Sequence, residues 1–195
     1  TIACCYLYRK DKVKPYTDLR NVFNDPANFY HYRLIVQGFE HIKSGEQFII
    51  NINHLRSKRG DAARADSIRA NSVDSLLQTL EKLSHEVMFQ DDDVLLVGDY
   101  NCYAQERPIH KLVSSGYKDM LLIHAPHDYS YIYKSEAGFL DRVFASPSMA
   151  EKITCIVPYH INADSFYSKW YKRGLDKTMY RFSDHDPILI GIKLQ

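Results

Sequence analysis

The sequence lacks the features that assign some classes of protein at once. It contains no apolar run near the roughly 20 residues of a membrane-spanning helix and no visible signal peptide, so we expect no membrane partner. Its net charge is +1 at pH 7, so any nucleic-acid partner would have to be held by local patches rather than by a global basic field. Without internal repeats, low-complexity tracts or an interdomain linker, residues 1–195 are interpreted as one domain.

Cysteine is scarce and shows no metal-site spacing. The four cysteines are Cys4, Cys5, Cys102 and Cys155, and none forms a CxxC pair. Adjacent Cys4 and Cys5 would point to opposite faces of a strand, which is poor geometry for a shared metal. We prefer to interpret the cysteines as buried small hydrophobes. A disulfide of Cys4 or Cys5 with Cys155 stays open, because sequence does not determine pairing.

Tyrosine, in contrast, is abundant, with 15 Tyr against one Trp. A tyrosine offers a flat apolar face and a polar tip, which suits a wet binding groove. The hydrophobic share of 45% is typical of a globular protein with a buried core. The chain opens at Thr1 without an initiator Met, in what reads as the interior of a strand, and we expect the natural protein to extend upstream.

Hydrophobic patterns predict strands interspersed with helices. Residues 33–41 and 47–54 alternate as two strands of a hairpin, and residues 62–89 follow the 3.6-residue period of a helix. Residues 94–97 are wholly apolar, as in a strand buried on both faces. Further strands are predicted at residues 2–8, 120–123, 130–133, 139–145, 153–157 and 188–194, and a short helix at residues 105–115. This arrangement indicates an α/β layered sandwich.

Polar residues that could do chemistry lie beside four of these strands. They are Asn53 and His54, Asp99 and Asn101, Asp141, and Asp184 and His185. Each group is weak alone, because a His after a strand is more often structural and a Gly-Asp-x-Asn string can be a simple turn. Together they supply three acids, two imidazoles and two amides. Carboxylates hold a hard cation and His can act as a base near neutral pH, so the set predicts metal-assisted hydrolysis.

Four strings, taken in order, carry a resemblance to a known family. They are Ile52-Asn-His-Leu-Arg-Ser-Lys58, Val97-Gly-Asp-Tyr-Asn101, Phe139-Leu-Asp-Arg-Val-Phe-Ala-Ser146 and Phe182-Ser-Asp-His-Asp-Pro-Ile188. Their order and spacing resemble the motif set of the endonuclease/exonuclease/phosphatase superfamily, which includes pancreatic deoxyribonuclease and abasic-site endonucleases. The resemblance covers essentially the whole chain. Among the branches of the superfamily, the chain most resembles the secreted bacterial nucleases. The stretches at residues 128–133 and 160–164 carry this resemblance.

The resemblance implies a four-layer α/β sandwich, in which two sheets pack face to face and helices lie outside. The chain would supply the larger, C-terminal part of the domain, so one sheet should be short of strands and have unpaired edges. Tyr8-Arg9 resembles a Tyr-Arg pair that follows a strand in the family. The family's site also uses an Asn and a metal-binding Glu from segments before that strand, and neither has a counterpart here. We therefore expect the chain alone to be inactive or severely impaired, with at most weak nucleic-acid binding.

The same resemblance implies catalytic roles. His185 matches the base that activates the attacking water, and Asp141 matches the carboxylate that orients this imidazole. His54 matches a second imidazole that contacts the phosphate or helps the leaving group. Asp99 and Asn101 match the pair that binds water or metal and the phosphoryl oxygen.

The implied cofactor is Mg²⁺, or alternatively Mn²⁺ or Ca²⁺. Asp184 and Asp99 are the residues that would hold it. Asp186 matches no catalytic position, and we interpret it as a turn and capping residue.

Five residues are candidates for substrate binding: Arg9, Tyr131, Arg56, Lys58 and Trp170. Arg9 would neutralise a phosphate, as the Arg of the family's Tyr-Arg pair. Arg56 and Lys58 belong to a basic cluster beside His54, which could equally be the solvated start of a helix. Trp170 lies in an aromatic and basic stretch, residues 166–182, that suits base stacking and phosphate contact. That stretch could equally be a loop that packs on its own small core.

These observations predict a metal-dependent phosphodiesterase that hydrolyses nucleic acid by in-line attack of water. The alternative is a phosphatase or phosphodiesterase for a small-molecule or lipid-headgroup phosphate, since the superfamily includes both. The sequence does not distinguish DNA from RNA, or endonuclease from exonuclease activity. The resemblance also suggests export from a bacterial cell, either secreted or periplasmic.

Overall fold

The computed structural model of the protein describes residues 2–86, 93–163 and 183–194. Its strands are β1 (Val13–Pro15), β2 (Arg20–Asn21), β3 (Leu34–His41), β4 (Gln47–His54), β5 (Val94–Asp99), β6 (Lys118–Asp119), β7 (Tyr131–Tyr133), β8 (Glu136–Gly138), β9 (Asp141–Ala145), β10 (Ile153–Pro158) and β11 (Ile188–Ile192). Its helices are α1 (Ala62–Glu86), α2 (Arg107–Ser114), α3 (Met120–His124) and α4 (Pro147–Lys152). None of these helices is long and apolar enough to cross a membrane.

Most strands form one large mixed sheet in the order β1-β3-β4-β5-β9-β6, with β2 also paired to β3. The predicted hairpin is confirmed, because β3 and β4 pair antiparallel. Strands β4 and β5 are parallel, and parallel neighbours need a long crossover, which α1 supplies. Strand β9 then returns antiparallel to β5. The C-terminal ends of β4 and β5 therefore meet the N-terminal ends of β3 and β9 at one edge of the sheet.

Helices α1 and α2 cover one face of this sheet. Helix α1 begins after Asp61, whose Oδ1 accepts the backbone N–H of Arg64 at 2.9 Å. Its apolar stripe includes Leu76, Leu80 and Leu83, which pack with apolar residues of β3, β4 and β5. The predicted helix is thus confirmed from Ala62 to Glu86, while residues 87–89 lie outside the described residues.

The other face of the large sheet packs against the two-stranded sheet of β10 and β11. Phe39, Leu95 and Val143 from the large sheet share a core with Ile156 and Ile190 from the small one. Two face-to-face sheets with helices outside the larger one agree with the predicted fold class. The expectation of one short sheet is also met, since the second sheet has two strands in the described part of the chain.

Two predicted strands are wrong. Residues 2–8 form no strand in the described structure; the segment lies across the second face of the large sheet, where the Tyr6 hydroxyl donates to the Ile50 carbonyl at 2.6 Å. Residues 120–123 are part of α3, because Asp119 caps that helix through the backbone N–H groups of Leu121 and Leu122. The remaining predicted elements are present with ends shifted by a few residues.

The four cysteines are free thiols. Cys102 is buried, as interpreted from the sequence, whereas Cys5 and Cys155 are exposed and Cys4 is half-buried. The buried interpretation is therefore confirmed for Cys102 and wrong for Cys5 and Cys155.

Candidate active site

Four polar side chains form a row across one edge of the large sheet. The register pairs His54 with Asp99, and Asp99 with Asp141. On the other side, the His54 backbone N–H donates to the Arg33 carbonyl at 2.8 Å, which places Arg33 opposite His54, directly before β3. Directly paired residues point to the same face of a sheet, so Arg33, His54, Asp99 and Asp141 lie side by side. We call these four residues the catalytic row.

His185 joins the row from the loop before β11. Its Nδ1 lies 2.7 Å from Oδ2 of Asp141, so the carboxylate accepts the Nδ1–H and leaves Nε2 as the free ring nitrogen. Burial lowers the pKa of His185, but the hydrogen bond and the charges of Asp141, Asp99 and Asp184 outweigh it and raise that pKa above its ordinary value. The geometry is that of a base held by a carboxylate.

Ser130 is a third residue that contacts this pair, and sequence reasoning did not identify it as part of the site. Its buried Oγ donates to the same Oδ2 of Asp141 at 2.7 Å, and its carbonyl accepts the Asp186 N–H at 2.8 Å. Ser130 therefore links the carboxylate to the loop that carries His185. Its position in the Asp128–Tyr133 string was the available signal, but serine is too common in loops for sequence alone to assign it.

Asp99 is held by the turn that follows β5. Gly98 has φ +128 and packs so closely on β4 that a Cβ would lie 2.1 Å from the Asn53 carbonyl, so only glycine fits. Asn101 adopts a left-handed φ of 50 and donates from its backbone N and Nδ2 to the two oxygens of Asp99. Burial, followed by the charge of Asp141, raises the pKa of Asp99 to about 6.

His54 lies between a carboxylate and a cation. Its Nε2 is 3.6 Å from Oδ2 of Asp99. Burial and the nearby Arg33 charge lower the pKa of His54, which favours the neutral imidazole. The neighbouring Asn53 side chain faces the helix side instead, where it donates to the Tyr100 hydroxyl at 2.7 Å.

Arg33 was not found from the sequence. It is 8% exposed, and its guanidinium stacks on the Phe29 ring at 4.5 Å. Among the described residues, no carboxylate lies within 4.0 Å of this guanidinium. A buried cation without a carboxylate is costly, so Arg33 is suited to an anion that enters the site.

The site offers a donor set that fits a divalent cation. Ligand atoms of Asp99, Asp141 and His185 all lie within 4.8 Å of one another. Asp184 is half-buried beside them, and its charge contributes to the raised pKa values of Asp99 and His185. Three crowded carboxylates repel one another, and a hard cation that takes oxygen ligands relieves that repulsion.

A hydrogen-bonded clamp fixes the His185 loop from behind. Asp186 has a fully buried side chain, whose Oδ1 accepts the backbone N–H groups of Ile161, Asn162 and Ala163. His160 bridges two loops, with Nδ1 2.9 Å from Asp186 and Nε2 2.8 Å from Asp128. Asp186 was interpreted from the sequence as a turn and capping residue; in the structure it instead binds backbone N–H groups of a distant segment, after β10.

The amide of Asn162 connects the clamp to the base. Its Nδ2 donates to the His185 carbonyl at 2.8 Å. The clamp residues are therefore Asp128, His160, Asn162 and Asp186. They come from the segments before β7, after β10 and before β11, so the position of His185 depends on three loops at once.

The candidate substrate-binding residues differ in whether they lie at the site. Tyr131 lies at the site, with its ring centroid 4.6 Å from that of His185. Lys58 pairs with Glu106 and lies 4.9 Å from the Tyr103 ring, while Arg56 lines a recess on the α1 side with Phe29. Trp170 lies outside the described residues.

Arg9 is not brought to this edge of the sheet. It forms a bidentate pair with Asp11 in the exposed turn before β1. Strand β1 pairs with the far end of β3, where Val13 is opposite His41, whereas Arg33 and the catalytic row lie at the near end. The turn that carries Arg9 is therefore at the wrong end of the sheet for a phosphate at His185.

Comparison with known proteins gives a match in structure alone. No protein-family model and no curated protein matches the chain. An endonuclease/exonuclease/phosphatase from Bacteroides vulgatus superposes with a TM-score of 0.66 at 17% identity, over 96% of this chain and 69% of its own. A mannosyl-6-phosphatase from Bacteroides thetaiotaomicron gives a TM-score of 0.67 at 17% identity, with coverages of 96% and 69%. A 3′ phosphatase from Neisseria, bound to product DNA hairpin, gives 0.57 at 14% identity, with coverages of 93% and 72%.

The chain has the endonuclease/exonuclease/phosphatase fold. The resemblance that the four sequence strings indicated is thereby confirmed at the level of the fold. The chain spans about two thirds of the length of the two Bacteroides structures, 69% in each case. In this fold, the catalytic row and His185 occupy one rim of the large sheet.

Proposed function

We propose that the protein is a phosphodiesterase that hydrolyses nucleic acid by in-line attack of water, with His185 as the general base. The observation that carries this proposal is the 2.7 Å pair of His185 and Asp141 at the end of the catalytic row. The pair leaves Nε2 of His185 free to accept a proton, and Asp141 stabilises the imidazolium that forms.

Arg33 supplies positive charge at the other end of the row from Asp141. Arg33 is a buried cation without a carboxylate partner among the described residues, and His54 is a neutral hydrogen-bonding group beside it. His54 lies beside Asp99, and Arg33 lies on the other side of His54. We infer that a non-bridging phosphoryl oxygen lies against Arg33 and His54 while water is held near His185.

Asp99 and Asp184, with Asp141 nearby, are the carboxylates that would hold a divalent cation such as Mg²⁺ or Mn²⁺. When bound, the cation offsets negative charge that develops on the phosphoryl oxygens. Asn101 orients Asp99 through both of its nitrogen atoms and so fixes the carboxylate plane before any ligand arrives.

The base assignment is tested by replacing His185. In the protein extended upstream, we expect His185→Ala to lower turnover of a phosphodiester at least about 10²-fold, the usual range for loss of a general base. His110→Ala is a matched control, since His110 is exposed on α2. Turnover of His185→Ala close to that of the parent would reject the assignment.

Nucleic acid is the proposed substrate, and two findings support it. Tyr131 lies beside His185, and Tyr133, which is 54% exposed, stacks with Tyr131; accessible tyrosine rings suit base stacking. Among proteins of this fold, the Neisseria 3′ phosphatase is bound to DNA, and an AP endonuclease is known from Leishmania major.

The second candidate is a small-molecule phosphoester, because the fold is shared with the mannosyl-6-phosphatase. Plasmid nicking, compared with phosphate release from sugar or inositol phosphates and hydrolysis of sphingomyelin, separates the two. Cleavage of the small molecules alone would reverse the ranking.

Two earlier expectations stay predictions. Export from a bacterial cell would be supported by a signal peptide in the gene. Impaired activity of the chain alone would be contradicted by Mg²⁺-dependent turnover equal to that of a version extended upstream. Neither expectation bears on the geometry of the catalytic row.

A further inference from the structure

The hairpin of β7 and β8 ends in an unusual turn. Tyr133 pairs with Glu136, so Lys134 and Ser135 alone form the turn, and both have positive φ, 51 and 66. Positive φ at both positions is the type I′ turn, in which Asn-Gly is the favoured pair. A lysine and a serine cost strain in this conformation. The strained turn brings the Lys134 ammonium to 5.4 Å from the centroid of the Tyr133 ring.

The tyrosines of this hairpin extend outward from the general base. Tyr131 and Tyr133 are two residues apart on one strand, so their side chains share a face. Their rings are nearly parallel, with an interplanar angle of 10° and centroids 6.4 Å apart. Tyr131 also lies 4.6 Å from the His185 ring, and Tyr133 is 54% exposed. A row of rings thus leads from His185 into solvent.

A third tyrosine supports the hairpin from the side. Tyr103, in the loop after β5, lies so close to Gly138 of β8 that a Cβ there would be 3.2 Å from its Cε1 atom. The Tyr103 ring is 37% exposed, and Lys58 lies 4.9 Å from its centroid. We call Tyr103, Tyr131 and Tyr133 the aromatic wall. Because Lys58 is paired with Glu106, Lys134 is the cation of this wall that a phosphate would meet.

We propose that the aromatic wall binds a nucleobase of single-stranded nucleic acid, which stacks on Tyr133 while a neighbouring phosphate contacts Lys134. This inference rests on the proposed function and adds a binding subsite to it. A nucleic-acid strand bound at Tyr133 would direct its backbone towards His185. The ring of Tyr131 lies between Tyr133 and His185. Single-stranded nucleic acid is the occupant because an exposed ring can stack only on a base that is free of its own helix.

Binding measurements test the wall independently of turnover. The protein is used with His185→Ala to prevent cleavage, and a short labelled single-stranded DNA is titrated by fluorescence anisotropy. The comparison ligand is the same oligonucleotide with an abasic spacer at every position, which keeps the phosphates and removes the bases. We expect Tyr133→Ala to raise the Kd for the normal oligonucleotide about tenfold, within the range for loss of one stacked base, and to leave the abasic Kd unchanged.

Two further variants separate stacking from charge and from folding. Tyr133→Phe keeps the ring, so the parent Kd is expected. Lys134→Asn suits the left-handed turn and removes the charge, so it should weaken binding of both oligonucleotides and flatten the salt dependence. Tyr16→Ala removes a tyrosine with 40% exposure on the β1 side of the sheet and serves as the control for loss of a partly exposed ring.

The outcomes distinguish the wall from the catalytic proposal. Equal Kd values for the parent and Tyr133→Ala with the normal oligonucleotide would overturn the wall, even if the unsubstituted protein cleaves DNA. A Tyr133-dependent preference for the base-bearing strand would support the wall, even if no phosphodiester is hydrolysed. Tight, Tyr133-independent binding of small phosphoesters alone would also overturn it.

Discussion

At the scale of single residues, the most consequential neighbour of the site is Arg33. The sequence offers no reason to select one arginine before a strand, but the register places it opposite His54. A positive charge beside an imidazole disfavours the imidazolium, so Arg33 and burial act together on His54. His54 and His185 are thereby driven in opposite directions, one towards the neutral and one towards the charged form. When two titratable groups of one site have pKa values shifted in opposite directions, one is suited to act as an acid and the other as a base.

Removal of the Arg33 charge should therefore change the pKa of His54. We expect Arg33→Met, which keeps an apolar stem over Phe29, to raise the pKa of His54, although burial will still hold it down. The measurement is an NMR titration of the imidazole C–H signals, assigned with His54→Ala. Arg33→Lys keeps the charge and should leave the pKa of His54 low. An unchanged pKa in Arg33→Met would show that Arg33 does not act on His54.

At the scale of elements, the clamp behind His185 matters most. Asp186 accepts three backbone N–H groups of the segment after β10 and so links that segment to the loop before β11. His160 adds a hydrogen bond to Asp128. Burial lowers the pKa of His160, but its bonds to Asp186 and Asp128 outweigh this and raise the pKa above its ordinary value of 6.5. The protonated imidazole therefore stabilises the folded state below pH 6.5. This contribution is lost as pH rises through the folded pKa.

The clamp predicts a pH-dependent stability difference. His160→Gln should lower the free energy of unfolding by about 1 kcal/mol at pH 5.5, because a charge-assisted bridge is replaced by a weaker one at a partly exposed position. The loss should shrink at pH 9, where the parent imidazole is also neutral. Urea unfolding at the two pH values gives the measurement, with His110→Gln on the exposed surface of α2 as control. A loss that is equal at both pH values would contradict the bridge.

Elements also show where sequence reasoning succeeded. The 3.6-residue period of α1 and the alternation of β3 and β4 are properties of local sequence, and both elements formed as predicted. Residues 120–123 are apolar enough for a strand, but Asp119 both caps α3 and pairs with the buried Arg142 at 2.7 Å. That partner lies 23 residues away in sequence, so a local pattern cannot reveal it.

The candidate site shows the same division. His54, Asp99, Asp141 and His185 follow from ordered motifs, and the structure brings them together. Arg33 and Ser130 are defined by register and by a long-range hydrogen bond, which a single sequence does not display. Arg9 fails for the converse reason, because its local motif is sound but its turn lies at the other end of the sheet.

At the scale of the whole molecule, one rim of the large sheet concentrates negative charge in a buried place. Burial raises the pKa of Asp99 from 3.8 to about 6, and the charges of Asp141 and Asp184 act in the same direction. The folded state therefore binds the proton of the Asp99 carboxyl group more tightly than the unfolded state does. Stability from Asp99 is present at low pH, falls as pH rises from 3.8 to 6, and becomes a full cost above that. The rest of the fold must offset this cost at neutral pH.

A divalent cation and a substitution should remove that cost in different ways. Without metal at pH 7.5, we expect Asp99→Asn to raise Tm by about 3 °C, because it removes one of the crowded charges. Adding Mg²⁺ or Mn²⁺ should raise the Tm of the parent by mass action and have a smaller effect on Asp99→Asn. The metal effect should also weaken at pH 5, below the Asp99 pKa of about 6, where a protonated carboxyl is a poor ligand. Asp74→Asn, at a partly exposed carboxylate paired with Lys111, is the control that should leave the metal response intact. If Asp99→Asn lowers Tm without metal, or responds to metal as the parent does, Asp99 is a structural residue of the turn and the cation site must be sought elsewhere on the rim.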